Sequence, residues 1–105
     1  MNPKIQLIDK TKNFIDFIEI ESGVKFCLNR EDFEKALNSF KRWMIDNGGT
    51  NFYSKLYSLM AQADYQNIRK ILMGFPAETI VYLLWYNSES EEKFLEEWDK
   101  ESEKE

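Results

Sequence analysis

The first part of the chain has a hydrophobic pattern with a period of two. Between residues 24 and 28, apolar side chains occupy every second position, as in a strand with one buried face. β-Branched and aromatic residues are frequent in residues 13–20 and favour another strand, with a helical turn as the alternative. A turn containing Gly23, a residue suited to positive φ, connects these two segments. With a shorter alternating segment before them, the pattern predicts a three-stranded antiparallel meander over about residues 5–28.

Beyond residue 29 the pattern changes to the period of amphipathic helices. Apolar residues recur at spacings of three and four, which predicts four to five helices packed on the sheet. The predicted helix caps are Asn29, Thr50 or Asn51, Asp64, and Ser88 in a capping-box spacing with Glu91, and Asn47-Gly48-Gly49 is predicted to end the first helix. We therefore expect one α+β domain over residues 1–105, with a frayed acidic tail from about residue 99.

The second helix carries two adjacent lines of apolar and aromatic residues. The line predicted to face the core is Phe52, Leu56, Leu59, Met60 and Ala63. Tyr53 and Tyr57 form a second line about 100° away at helical pitch, and Trp43 similarly lies one position off the apolar line of the first helix. Because exposed aromatic residues are enriched in protein interfaces, we predict that these three bind a protein partner or form a homodimer seam. The alternative is that the helices contribute these rings to the core.

The segment Gly74-Phe75-Pro76 separates two apolar helices. It predicts a left-handed Gly74 after the third helix, an apolar contact by Phe75, and Pro76 as the first residue of the fourth helix. On this interpretation, Gly74→Ala would destabilise the fold by about 1 kcal/mol. The fourth helix is apolar on most sides and is predicted to be the most buried.

Composition argues against several kinds of chemistry. The chain has no histidine and a single cysteine, so it lacks the usual general base, an intramolecular disulfide and a cysteine metal cluster. Cys27 is interpreted as a small, half-buried strand residue. The sequence also contains no glycine-rich phosphate loop and no carboxylate pair spaced for acid–base work in a cleft. We therefore predict a protein that is not an enzyme and binds neither a metal nor a cofactor.

The apolar segments predict the compartment. The amino terminus has no long apolar run of the kind found in signal peptides. The longest apolar run, residues 80–86, is far shorter than the roughly 20 residues that cross a bilayer. We expect a cytoplasmic protein with no membrane partner.

Negative charge is concentrated at the carboxyl end. The net charge is −5, and residues 88–105 hold nine acidic and three basic side chains, which is −6 and leaves +1 for the rest. Either this helix binds a basic partner, with Glu92, Glu96 and Asp99 as candidate contacts, or it is a solvated face that keeps the protein soluble. The net charge argues against nucleic-acid binding through scattered lysine and arginine residues, which stays the alternative function.

One stretch of the sequence resembles a known pattern. The run ADYQN at residues 63–67 is followed by an apolar helix and by GFPAE at residues 74–78. This arrangement resembles small proteins of phages and other bacterial mobile elements. The resemblance implies a bacterial or phage cytoplasmic setting and a binding or regulatory role, and it identifies no functional residues. With the residue patterns, it predicts a non-enzymatic protein-binding or regulatory module that uses an aromatic face and the acidic last helix.

Overall fold

The computed structural model describes residues 2–45 and 51–103, and for residues 99–103 it describes the backbone only. The three strands are β1 (Ile5–Lys10), β2 (Phe14–Glu19) and β3 (Lys25–Asn29). The five helices are α1 (Arg30–Ile45), α2 (Phe52–Gln62), α3 (Tyr65–Gly74), α4 (Pro76–Tyr86) and α5 (Glu91–Glu103). The predicted α+β fold is confirmed, and residues 14–19 form a strand rather than the alternative helical turn. Helix α5 includes residues 99–103, where the sequence predicts fraying.

The strands form an antiparallel sheet in the order β1-β2-β3, with helices on one face. Phe17 in the central strand pairs with Leu7 on one side and with Phe26 on the other. Ile15 and Phe17 are buried, whereas Phe14 on the opposite face is exposed. This alternation is what the period of two predicts for a sheet with one covered face. In the turn that precedes β3, Gly23 has a φ of +76°, as predicted.

Side-chain caps fix the starts of three helices. In each, an Asn or Asp side chain accepts a hydrogen bond from a backbone N–H of the first turn, which would otherwise have no helical partner. The three bonds are Glu31 to Asn29 at 2.7 Å, Ser54 to Asn51 at 2.9 Å, and Asn67 to Asp64 at 2.9 Å. These cap predictions are confirmed. The alternative cap Thr50 and the predicted stop at Asn47-Gly48-Gly49 lie outside the described residues.

Helix α5 begins differently from the prediction. The cap is Ser90, whose Oγ accepts a hydrogen bond from the Lys93 N–H at 3.2 Å. Ser88 instead donates its hydroxyl hydrogen to the carbonyl of Trp85, at 2.7 Å. The predicted capping box at Ser88 was therefore wrong, because the Ser88 side chain is hydrogen-bonded to the last turn of α4 and Ser90 caps α5 instead.

The corner between α3 and α4 consists of a single residue, Phe75, with φ −133° and ψ 68°. Its N–H donates to the Ile71 carbonyl at 2.7 Å, and Pro76 occupies the first turn of α4 as predicted. Gly74 is helical, and Gly23 is the one glycine with positive φ among the described residues, so the left-handed Gly74 was wrong. The reason is Pro76: a proline disfavours the helical conformation at the residue before it, so the break falls at Phe75.

This geometry reverses the expected effect of Gly74→Ala. A Cβ added at Gly74 meets no atom within 4 Å, and the residue is already helical. Alanine should therefore raise the free energy of unfolding by about 0.5–1 kcal/mol, because it restricts the unfolded chain. Urea unfolding measures the change. The matched control, Gly23→Ala, should be destabilising because of its positive φ. A loss of stability in Gly74→Ala would contradict the helical assignment.

Helix α4 lies at the centre of the molecule, as predicted. It contacts the other four helices and the strands β1 and β3. Its fully buried residues include Thr79, Ile80, Val81 and Leu83. A helix that is apolar on most sides has this position because each of its faces meets another element.

The core-facing side of α2 is only partly the predicted one, because Leu56 and Met60 are buried as predicted but Tyr57 joins them in place of Phe52 and Leu59. Leu56, Tyr57 and Met60 are buried, whereas Phe52 is 58% exposed and Leu59 is 54% exposed. The two lines of α2 are both apolar, so the period alone could not select between them. A hydrogen bond favours the observed face, because the Tyr57 hydroxyl donates to the Ala36 carbonyl at 2.9 Å.

Candidate functional site

Three aromatic side chains form an exposed cluster between the start of α2 and the α3–α4 corner. Phe52 is 58% exposed, Tyr53 44% and Phe75 38%. The ring centroids of Phe52 and Tyr53 lie 5.3 Å apart, and those of Phe52 and Phe75 lie 5.7 Å apart. We call these three residues the exposed aromatic cluster. Apolar rings in mutual contact on a surface are typical of a site that another molecule covers.

Local sequence places each ring at this point. The Asn51 cap starts α2, so Phe52 and Tyr53 fall in the first turn of that helix. Pro76 ends the helical conformation at Phe75, which therefore projects from a corner rather than from a regular helix face. The two helix boundaries meet in space, and this brings residues 52–53 and 75 together.

A groove of about 730 Å³ lies beside the exposed aromatic cluster and includes two of its members, Tyr53 and Phe75. Its lining comes from the end of β3, from α1, from Tyr53 of α2, and from the α3–α4 corner with the first turn of α4. Its size falls in the range of ligand-binding clefts. We call it the aromatic-rimmed groove. Polar side chains on its walls include Asn38, Ser39 and Glu78.

The first turn of α4 faces the groove without a side-chain cap. Phe75 occupies the N-cap position and has no side-chain acceptor, so no side chain satisfies the first N–H groups of the helix. Ala77 and Glu78 both line the groove. The backbone N–H groups of these two residues donate no hydrogen bond to a capping side chain.

The groove has an acidic excess. Its charged lining residues are Asp32, Lys35 and Glu78. Lys35 forms an ion pair with Glu31, with 3.8 Å between Nζ and Oε2. In the part of the chain that the structure describes, neither Asp32 nor Glu78 forms an ion pair. The two carboxylates therefore remain available to an incoming cation.

Of the three aromatic residues predicted as partner contacts, Tyr53 lies in the exposed aromatic cluster and the other two pack against the core. Tyr57 is fully buried, and burial raises the pKa of its hydroxyl far above the ordinary value. Trp43 is half-buried, donates its indole N–H to Ser58 Oγ at 3.1 Å, and packs on Phe40 and Tyr57. The prediction that Tyr53 and Tyr57 form one exposed line was therefore wrong, because the side chain of Tyr57 faces the core.

The acidic candidates lie on α5. Glu92 and Glu96 are exposed, and the side chain of Asp99 lies outside the described part of the chain. Helix α5 is held by Phe94, which packs on Phe40, and by Trp98, which packs on Phe17 and Phe33. These contacts are made with α1 and β2, and no described residue of α5 lines the aromatic-rimmed groove. The structure therefore does not bring the acidic and aromatic candidates into one site.

Sequence reasoning missed Phe52 and Phe75 as surface residues. Phe52 was assigned to the core line of α2, and Phe75 to an apolar contact that closes the corner. A signal was present for each: Phe52 directly follows a capping Asn51, and Phe75 directly precedes Pro76. Residues at such boundaries lie at the ends of helices, where fewer neighbours cover them.

Cys27 is exposed, whereas the sequence predicted it half-buried. It lies on β3 opposite Asp16 and is among the residues that line the aromatic-rimmed groove. A hydrogen bond to the Asp16 carboxylate, together with partial burial and the charge of Asp16, raises the pKa of the Cys27 thiol. This environment disfavours the thiolate, which is the reactive form.

The described residues, 2–45 and 51–103, contain no group of three or more His, Cys, Asp or Glu side chains placed to hold a metal ion. None of the helices in these ranges is long and apolar enough to cross a membrane. Comparison with known proteins gave no match to a family model, to a curated protein or to a solved structure.

Proposed function

We propose that this chain is a non-enzymatic protein-binding or regulatory module that holds its partner in the aromatic-rimmed groove. The observation that carries the proposal is the exposed aromatic cluster, in which the Phe52 ring contacts both Tyr53 and Phe75, the two members that line the groove. Tyrosine and other aromatic residues dominate the energetic centres of protein interfaces, because they bury a large area at a low cost in side-chain entropy. The hydrophobic core contains other aromatic rings and does not include Phe52, Tyr53 or Phe75, so these three rings stay exposed in the folded chain.

The acidic helix α5 has a separate role in this proposal. Its exposed carboxylates do not line the groove and contribute to the field that a diffusing partner meets. A bacterial or phage cytoplasmic setting completes the proposal, and its support is the resemblance of residues 63–78 alone.

Site-specific photo-cross-linking tests the function. A benzophenone amino acid is placed at Tyr53, and the protein is irradiated in an extract of the organism that encodes it. The matched control carries the same group at Tyr86, which is also an exposed tyrosine but lies at the far end of α4. We expect a discrete cross-linked species from position 53, which Phe75→Ala abolishes, and none from position 86.

Phe75→Ala is a suitable loss-of-binding variant because its ring contacts one other ring, that of the exposed Phe52. Equal cross-linking from positions 53 and 86 would refute the groove as the binding site. A product that contains two copies of this chain would replace the hetero-partner with self-association, the homodimer alternative. Light scattering over a range of concentrations would then measure the dimer directly.

A further inference from the structure

The aromatic-rimmed groove combines two features that favour the same kind of ligand. Asp32 of α1 and Glu78 of α4 line the groove and form no ion pair with described residues, and the one lysine of its lining, Lys35, lies 3.8 Å from Glu31. Tyr53 and Phe75 present aromatic rings at the same groove. Carboxylates attract cations directly, and aromatic faces attract them through the ring quadrupole.

We propose, on the basis of the function proposed above, that the groove binds a basic peptide segment of the partner protein. The segment places an arginine or lysine side chain against Asp32 and Glu78, and an apolar side chain against the exposed aromatic cluster. Its main-chain carbonyls accept hydrogen bonds from the uncapped first turn of α4. The charge of the whole chain has the complementary sign, at −5, so a basic segment is also attracted at long range.

Asp32 and Glu78 also have a structural role, which the test must separate from binding. Each lies in the first turn of its helix, where a carboxylate stabilises the helix dipole by about 0.3–1 kcal/mol. Their loss therefore costs some stability whether or not a ligand exists. Discrimination between peptides of different charge is the readout that a purely structural role would not change.

The experiment uses three synthetic pentapeptide amides that alternate leucine with arginine, glutamine or glutamate. Binding to the full chain is followed at low salt by NMR chemical-shift changes. The arginine peptide should bind about tenfold more tightly than the glutamine peptide, and the glutamate peptide more weakly than both. The shift changes should map to the groove, around Tyr53, Phe75 and Ala77.

Two double variants separate the groove from the general acidity of the protein. Asp32→Asn with Glu78→Gln removes the charges of the groove, and Glu92→Gln with Glu96→Gln removes the same number of charges from α5. The groove variant should lose the preference for the arginine peptide, and the α5 variant should keep it within about twofold. Circular dichroism checks that both variants are folded.

Three outcomes would overturn the inference: equal binding of the arginine and glutamine peptides, loss of preference in the α5 variant rather than the groove variant, or no binding by any peptide. The proposed function is tested independently of this inference, by the cross-linking experiment. If cross-linking from Tyr53 depends on Phe75 but the peptides show no charge preference, the groove binds a partner that is not basic there.

Discussion

Replacing Arg69 with alanine should lower the free energy of unfolding by about 1–3 kcal/mol at neutral pH. Arg69 on α3 holds Glu19 at the end of β2 through two hydrogen bonds, Nε to Oε2 at 2.8 Å and Nη2 to Oε1 at 3.0 Å. Glu19 is 1% exposed, and its remaining described partner is the Ser22 hydroxyl at 2.6 Å. Without Arg69, a buried carboxylate is left without its counter-charge. The expected cost is below that of a fully buried pair because the Arg69 side chain is 38% exposed and solvent screens its charge.

Chemical denaturation of the variant measures this effect, with Lys70→Ala as the matched control. Lys70 is the next residue of the same helix and is exposed, so its loss should change stability by no more than about 0.5 kcal/mol. Replacing both members of the pair by apolar residues, Glu19→Leu with Arg69→Met, should recover most of the loss. Equal costs for Arg69→Ala and Lys70→Ala would show that the pair contributes nothing.

The same pair gives a pH dependence of stability. Burial by itself would raise the pKa of Glu19, but hydrogen bonds from Arg69 and Ser22 and the charge of Arg69 outweigh it and lower the pKa below the ordinary 4.5. A carboxylate with a lowered folded-state pKa stabilises the fold above its ordinary pKa, and this stability is lost as pH falls below that value. The Arg69→Ala variant loses the main interactions that lower the pKa of Glu19 and keeps the burial that raises it. The stability difference between wild type and variant should therefore shrink below about pH 4.5.

Truncating Phe40 to alanine should cost about 3–5 kcal/mol, a large part of the stability of a small domain. Phe40 is fully buried, and its ring lies 5.4–5.6 Å from four other rings. These rings are Trp43, Tyr57, Trp85 and Phe94, which come from four different places in the fold. The cavity would open where α1, α2, α4 and α5 meet, so all four helices lose packing at once.

Thermal unfolding followed by tryptophan fluorescence measures the loss, because two of the four neighbouring rings are tryptophans. Phe14→Ala removes the same side chain from the uncovered sheet face, where it is 46% exposed, and should cost at most about 1 kcal/mol. Similar costs for the two variants would contradict the central position of Phe40.

Features that depend on a few neighbouring residues could be predicted from the sequence. The caps Asn29, Asn51 and Asp64 act on N–H groups within their own first turn, and Pro76 acts on the residue before it. The meander follows from alternation within each strand. Gly74 is the exception. Glycine permits a left-handed conformation, but Pro76 places the break at Phe75 and Gly74 stays helical.

Features that depend on distant residues could not be predicted. Glu19 and Arg69 are 50 residues apart, and nothing local marks a strand glutamate as buried and paired. The orientation of α2 depends on Ala36 in another helix, whose carbonyl accepts from Tyr57. For the same reason, Tyr53 is the one predicted aromatic contact that belongs to the exposed aromatic cluster. The other two members of the cluster, Phe52 and Phe75, were not predicted as contacts.

The one-residue connection at Phe75 has a kinetic consequence for the groove. Because α3 and α4 share a single linking residue, the groove wall cannot move without displacing the most buried helix of the protein. A partner should therefore meet a rigid, preorganised surface and lose little conformational entropy of this chain on binding. Association should then occur in one step, with a rate set by diffusion and charge, and affinity differences among partners should arise from their dissociation rates.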